Sequence, residues 1–448
     1  MKSGSSHPGS FTLPPLKQLA EHIFRQTLAG IDIPAAMQRK LARSGSLIRC
    51  GDVTVNLAQF NRIYAIVFGK ASIAMAEGLM EVLAPDFHPE GILAAPTRPP
   101  RALPGFRTFL CGHPLPNEDS FAAGRAILNL LATCDERTLV IFLLSGGGSA
   151  LVEQPLYPDI TLEDIQTLYR LLVTCGAPID SVNAVRKHLS AVKGGRLAAA
   201  AAPAVKISYG VTDVPEGCES ALGSGPTIPD PTTVANAYCV VEEYGLLPKL
   251  PSSIRAKFES RALEETPKAG DPAFARAYFQ ILLGMHDLFH QAHRAAEAAG
   301  RIAICDNTTD DWPLAKAADY LLEQLTRLKQ SYPGWPVVVL ANGEVSSPVI
   351  GNGIGGRNAA FVLYCVEKIA GEPIAVLSAG TDGIDGSSPA AGAVADGATL
   401  ARAREAKLDP RDYFRRSDSY SFFKALGDAI ETGPTGNNLR DLRVLLAE

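Results

Sequence analysis

The run Ser145-Gly146-Gly147-Gly148-Ser149 follows directly on the apolar stretch 139–144 and leads into a second apolar segment. Glycine gives up more backbone freedom on ordering than any other residue and packs nothing. Three together at the end of a buried run therefore need a purpose. Without Cβ atoms, successive backbone N–H groups can converge on an anion, and a following helix adds its positive end. A tight turn against a neighbouring backbone is the competing interpretation; the two flanking serines favour the anion. No Gly-Lys-Ser/Thr follows, so this is not a Walker A loop. Gly69-Lys70 likewise ends the apolar run 63–68 and opens a helical stretch. A cation at a helix N-terminus opposes the macrodipole. A bound phosphate would justify Lys70 there; a solvated surface lysine is the alternative.

Carboxylates stand at similar places. Asp213 in VTDVPEG directly follows the run 205–211, and Asp382 follows the run 374–377, with Asp385 three residues on in a glycine-rich loop. Hard oxygen ligands on such loops suit Mg²⁺ carried with a phosphate, and turn chemistry of Asp-Gly is the alternative. In GNGIGGRN, Gly351, Gly353 and Gly356 satisfy G-x-G-x-x-G, so a dinucleotide motif is a live hypothesis. Pro348 in the preceding run, Arg357-Asn358 at the helix start and the late position of Asp382 count against it. An arginine after a glycine turn suits bidentate binding of phosphate or carboxylate. The segment 181–198 reads as one helix ending at Gly194-Gly195. Val182, Val185, Leu189 and Val192 form its core stripe, with Asn183, Arg186, Ser190 and Lys193 beside it. Such a polar stripe faces either a crevice edge or solvent.

These residues need a scaffold that gathers strand ends. Five short apolar runs, 63–68, 139–144, 205–211, 337–340 and 374–377, each stop in a polar or glycine-rich loop, and helical segments alternate with them. Continuous runs suit parallel strands buried on both faces. The alternation predicts an α/β fold with a mainly parallel sheet, in which ligands bind beyond the carboxyl ends of the strands. At 448 residues the chain is long enough for two domains. The Pro- and charge-rich stretch 246–274 and SYPGWP at 331–336 read as linkers. The expected division is a disordered N-terminus over 1–12, a first domain over 13–265 and a second over 266–448.

Composition narrows the function. A net charge of −5 lacks the basic face that nucleic acid or an anionic membrane requires. Eight cysteines show no metal or redox spacing, which suits reduced thiols in a cytoplasmic protein. No apolar run approaches a membrane span of about 18 residues, and the polar N-terminus carries no signal-peptide pattern.

Taken with GHPLP at 112–116, LSGGGSAL at 144–151, VRKHLSAVKGGRLA at 185–198, SGPTIPD at 224–230, GIGGRN at 353–358, SAGTDGIDG at 378–386 and TGPTGNN at 432–438, the chain resembles the glycerate 2-kinases whose C-terminal part is the MOFRL domain. The resemblance implies a Rossmann-like N-terminal domain, a smaller α/β C-terminal domain and an active site between them. It also implies ATP, Mg²⁺ and glycerate as small-molecule substrate, with Lys70 and Arg357 as the active-site cation pair. On that footing Ser145, Gly146, Gly147, Gly148, Ser149, Gly355 and Gly356 would hold nucleotide, and Arg186, Lys193 and Asn358 the substrate. Asp213, Asp382, Asp385 and Glu344 are the metal candidates, with Asp213 and Asp382 also candidates to orient the 2-hydroxyl. Departures from the family pattern gather at Asn342, Ile354, Ala359 and Ala360. Two rivals remain open: a nicotinamide-dependent hydroxypyruvate reductase and a non-catalytic anion-binding relative. Assembly as a homodimer is left open as well.

Overall fold

The computed structural model describes residues 15–212, 214, 217–437 and 439–448. The expected disorder over 1–12 lies outside the described residues. The chain forms two compact units. The first holds Ile31–Asp287 with Gly436–Leu439; the second holds the segment through Gly30, Leu288–Thr435 and Arg440–Glu448.

The first unit carries six parallel strands: β1 (Arg62–Phe68), β2 (Glu90–Ala95), β3 (Phe106–Leu110), β4 (Thr138–Ser145), β5 (Val205–Val211) and β6 (Ala277–Leu283). Their order in the sheet is β3-β2-β1-β4-β5-β6. All residues of β4 and β5 are buried, as strands covered on both faces must be. Helix α1 (Leu16–Gly30) precedes these strands in the chain, and α2 (Ser72–Leu83) and α3 (Glu118–Leu131) lie between them in sequence. The chain runs β1-α2-β2-β3 outward on one side, then crosses through α3 to β4 on the other. The order therefore reverses between β1 and β4, the switch point at which doubly wound folds open a ligand crevice.

Two expectations change here. The stretch 246–274 is no linker: Leu250, Ile254, Phe258 and Leu263 are buried in a cluster with Leu168 and Val185. The division falls after Asp287 and not near 265, because β6 completes the first sheet. Helix α1 belongs with the second unit, where Leu19, Ile23 and Phe24 pack under Leu377, Val444 and Leu446.

The second unit has a mixed sheet of β7 (Ile302–Asp306), β8 (Val337–Asn342), β9 (Ile374–Gly380), β10 (Gly392–Asp396), β11 (Ala429–Ile430) and β12 (Asp441–Ala447). The order is β7-β8-β12-β9-β10-β11. Only β7 and β8 pair parallel; β12 returns antiparallel between β8 and β9. The mainly parallel sheet is thus a property of the first unit. Among the described residues no helix is long and apolar enough to cross a membrane.

Candidate active site

At the switch point the turns after β1 and β4 are stitched together. The Lys70 N–H donates to Gly146 O at 2.8 Å, and the Ala71 N–H to Ser145 Oγ at 3.0 Å. A Cβ on Gly69 would lie 2.0 Å from Ser145 Oγ, so only glycine lets the turns approach this closely. Gly147 is left-handed with φ +83°, and a Cβ on Gly148 would press on the Phe68 ring at 3.0 Å. One glycine thus serves backbone conformation and another packing. The helix after the loop is only Gly148–Leu151. The helix expected to add its positive end is thus a single turn, which aligns few peptide groups and adds little. Lys70 is exposed beside this loop. Ser149 Oγ meets Ser224 Oγ at 2.8 Å.

Below the loop lies a buried polar network that the sequence did not announce. Glu153 accepts from Ser190 Oγ, Lys193 Nζ and Tyr169 OH, each at 2.6 Å. Lys193 and Glu153 are each 1% exposed. The same hydroxyl lies 3.1 Å from Ser149 O, which places the network directly against the loop. Burial raises the Tyr169 pKa and lowers that of Lys193. The single helix expected over 181–198 stops at Leu189. There the chain turns aside to pair with 154–156: Leu156 N–H bonds Leu189 O, and Ala191 N–H bonds Gln154 O. Three of the four stripe residues accordingly turn inward, and Arg186 alone keeps part of its surface open. Asn183, Ser190 and Lys193 are buried, and Lys193 is committed to Glu153. Arg186 is half-buried, its guanidinium 4.4 Å from the Tyr169 ring centre.

In the second unit, Arg357 opens α4 (Arg357–Cys365). Its Nε donates to Asp441 Oδ2 at 2.6 Å and its Nη1 to Glu344 Oε2 at 2.7 Å. Burial alone would lower its pKa, but these hydrogen bonds and carboxylates raise it. Burial raises the Glu344 pKa. Asp385 is buried and caps α4, accepting from Asn358 N–H at 3.0 Å and Ala359 N–H at 2.8 Å. Burial pushes its pKa up to about 6 against the pull of those N–H groups. Asn358 is buried and accepts from Ser378 Oγ at 2.6 Å.

A cavity of about 740 Å³ gathers Gly355, Gly356, Arg357, Asn358, Asp382 and Asp385. Its rim carries Val349 and Ile350, 82% and 77% exposed, which sequence reasoning missed. The glycine pattern before it has a packing cause. Cβ atoms on Gly351, Gly353 and Gly355 would lie 2.3 to 2.4 Å from Arg416 O, Asp418 Cβ and Ser419 Oγ. Among the described residues no three His, Cys, Asp or Glu side chains form a metal-holding group. Asp382, Asp385 and Glu344 do not make a cage, and Asp213 lies outside the described residues.

A family model described as a domain of unknown function, DUF4147, matches residues 19–259, and a MOFRL family model matches 337–441. A D-glycerate 2-kinase of Thermotoga maritima is 32% identical over 95% of this chain and 97% of its own. A protein of Agrobacterium vitis, provisionally named a hydroxypyruvate reductase, is 37% identical over 86% of this chain and 87% of its own. The crystal structure of a glycerate kinase from Thermotoga maritima superposes with a TM-score of 0.84 at 32% identity, covering 97% of this chain and 99% of that one.

Proposed function

The chain belongs to the glycerate 2-kinase family, and from that membership we propose that it transfers the γ-phosphoryl group of ATP to O2 of D-glycerate. The observation that carries this function is the pairing of Lys70 with the Ser145–Gly148 turn at the sheet's switch point. Phosphoryl transfer asks little covalent chemistry of a protein and much positioning and positive charge. Lys70, fixed through its own backbone to Gly146, would neutralise charge developing on the phosphoryl oxygens. The open, left-handed backbone at Gly147 would admit an oxygen where a side chain could not.

Arg357 is 35% exposed and lines the cavity while Glu344 and Asp441 hold its plane. That suits a fork aimed at phosphate or carboxylate. A cavity of this volume takes a molecule larger than glycerate, and Val349 and Ile350 offer apolar surface for a nucleotide base. Mg²⁺ supplies charge neutralisation on the nucleotide phosphates when bound. Carried with the nucleotide, it would need only one or two protein carboxylates. Asp382, half-buried on the cavity wall, fits that mode, whereas the donors among the described residues do not fit an all-protein cage. Asp213 remains a metal candidate from the sequence alone. Arg186 and Asn358 are the remaining substrate candidates; Lys193 acts through Glu153, as a support beneath the loop.

The reductase alternative gains nothing from the geometry. β8 ends at Asn342, so G-x-G-x-x-G at 351–356 does not follow a strand as a dinucleotide motif must. The test is glycerate with ATP and Mg²⁺, with the product's phosphate position read by phosphorus NMR. 2-Phosphoglycerate is expected. Only 3-phosphoglycerate, or glycerate oxidation with NAD(P)⁺ and no use of ATP, overturns the proposal.

A further inference from the structure

His113 follows β3, the edge strand of the first sheet, with β2 and β1 lying between β3 and β4. Its ring nevertheless reaches the loop after β4. A Cβ built on Gly147 would lie 3.0 Å from His113 Cδ2, 3.1 Å from its Nε2 and 3.3 Å from Lys70 Cγ. Histidine, lysine and the left-handed glycine therefore meet at one point over the switch of the sheet. The segment that delivers the ring is fixed. Gly112 N–H bonds Ser120 Oγ at 3.2 Å, and Asn117 caps α3. A Cβ on Gly112 would lie 2.3 Å from Leu115 O, so the bend demands glycine. Among the described residues the imidazole has no hydrogen-bond partner, and it is open to solvent.

We propose that His113 takes the proton from the 2-hydroxyl of glycerate as O2 attacks the γ-phosphorus. This rests on the phosphate-binding role given above to Lys70 and the Ser145–Ser149 loop. As the O2–Pγ bond forms, the bond from Pγ to the β,γ-bridging oxygen breaks, and its electron pair leaves with ADP. The hydroxyl proton passes to a ring nitrogen and then to water. A base for this step must be neutral at working pH and within hydrogen-bond reach of the hydroxyl. Partial loss of hydration beside the loop, then the charge of Lys70, lowers the His113 pKa and so favours the neutral ring. Lys70 is the charged group facing it from the turn into α2. The Ser145–Ser149 loop brings only hydroxyls and backbone, and Glu118 and Asp119 open α3 on its own segment.

The experiment compares kcat/KM for glycerate from pH 5 to 9 at saturating Mg–ATP, for wild type and His113→Gln. Wild type should lose activity on the acid side with one protonation below the usual histidine range. His113→Gln should lack that limb and run on the order of 100-fold slower near neutrality. Titration of the nucleotide is common to both proteins and cancels. Wild-type speed in His113→Gln, or an unchanged acid limb, overturns the proposal. His113→Asn serves the same purpose if the glutamine variant fails to melt cooperatively. Lys70→Ala run alongside separates the two ideas. If it is slow while His113→Gln is fast, only the role of His113 fails; if both are fast, the phosphate site fails as well.

Discussion

Gly147→Ala places one methyl between His113 and Lys70 and removes no hydrogen-bonding group. Two costs can be separated. The φ of +83° is left-handed, and an alanine held there loses about 1–2 kcal/mol. Reduced freedom of the unfolded chain returns about 0.4–1 kcal/mol. The net destabilisation is then about 1 kcal/mol, or a Tm lower by about 2–4 °C for a unit of this size. The second cost is local. At 3.0 Å from the His113 ring and 3.3 Å from Lys70 Cγ, the methyl forces both side chains to give by a few tenths of an ångström. A misplacement of about 1 Å at a reacting centre costs roughly 100-fold, so a shift of a few tenths should cost up to about 10-fold in rate. Gly176→Ala is the control, since Gly176 has φ +81° and nothing within 4 Å of its would-be Cβ. Both variants should lose similar stability in thermal melts, while only Gly147→Ala should lose kcat/KM and nucleotide affinity by calorimetry. A Gly147→Ala enzyme as active as Gly176→Ala would refute the placement of chemistry at this loop.

Lys70→Ala should reduce kcat/KM by on the order of 100-fold or more, with a melting curve close to wild type, because an exposed lysine adds little to folding but its charge acts on the transition state. Glu153→Ala should cost about 3–5 kcal/mol in urea unfolding by leaving the Lys193 charge buried without its partner; an unchanged midpoint would mean that Lys193 finds water. Asp385 has a folded pKa raised to about 6, above the ordinary carboxyl value. The folded state therefore holds its proton more tightly, so this residue's contribution is full below about pH 4 and declines as pH rises through about 6. Unfolding free energies of wild type and Asp385→Asn between pH 4 and 7 should differ in slope accordingly, and parallel curves would count against the shift.

Five strands of the two sheets, those at 63–68, 139–144, 205–211, 337–340 and 374–377, were legible locally. Runs such as 63–68 and 139–144 are continuous and apolar because both faces are covered, and that property belongs to the run itself. Lys70, Arg357 and the glycine-rich loops were legible for a related reason: each violates a local preference, and the violation marks a position held by something outside its own segment. What those somethings are lay beyond the sequence. Nothing local says that 441–447 returns between β8 and β9, so a mixed sheet could not be told from a parallel one. The periodicity of 181–198 continues past Leu189, yet the helix ends there because Gln154 and Leu156 compete for its backbone. Lys193 keeps helical spacing with Arg186 but is drawn inside by Glu153, 40 residues earlier. His113 carries no local signal of its own, since Lys70 and Gly147 approach it only when the strands of the first sheet are assembled. Sequence determines which residues cannot be ordinary where they stand. The tertiary structure alone decides which of them meet, because contact energies depend on neighbours far apart along the chain.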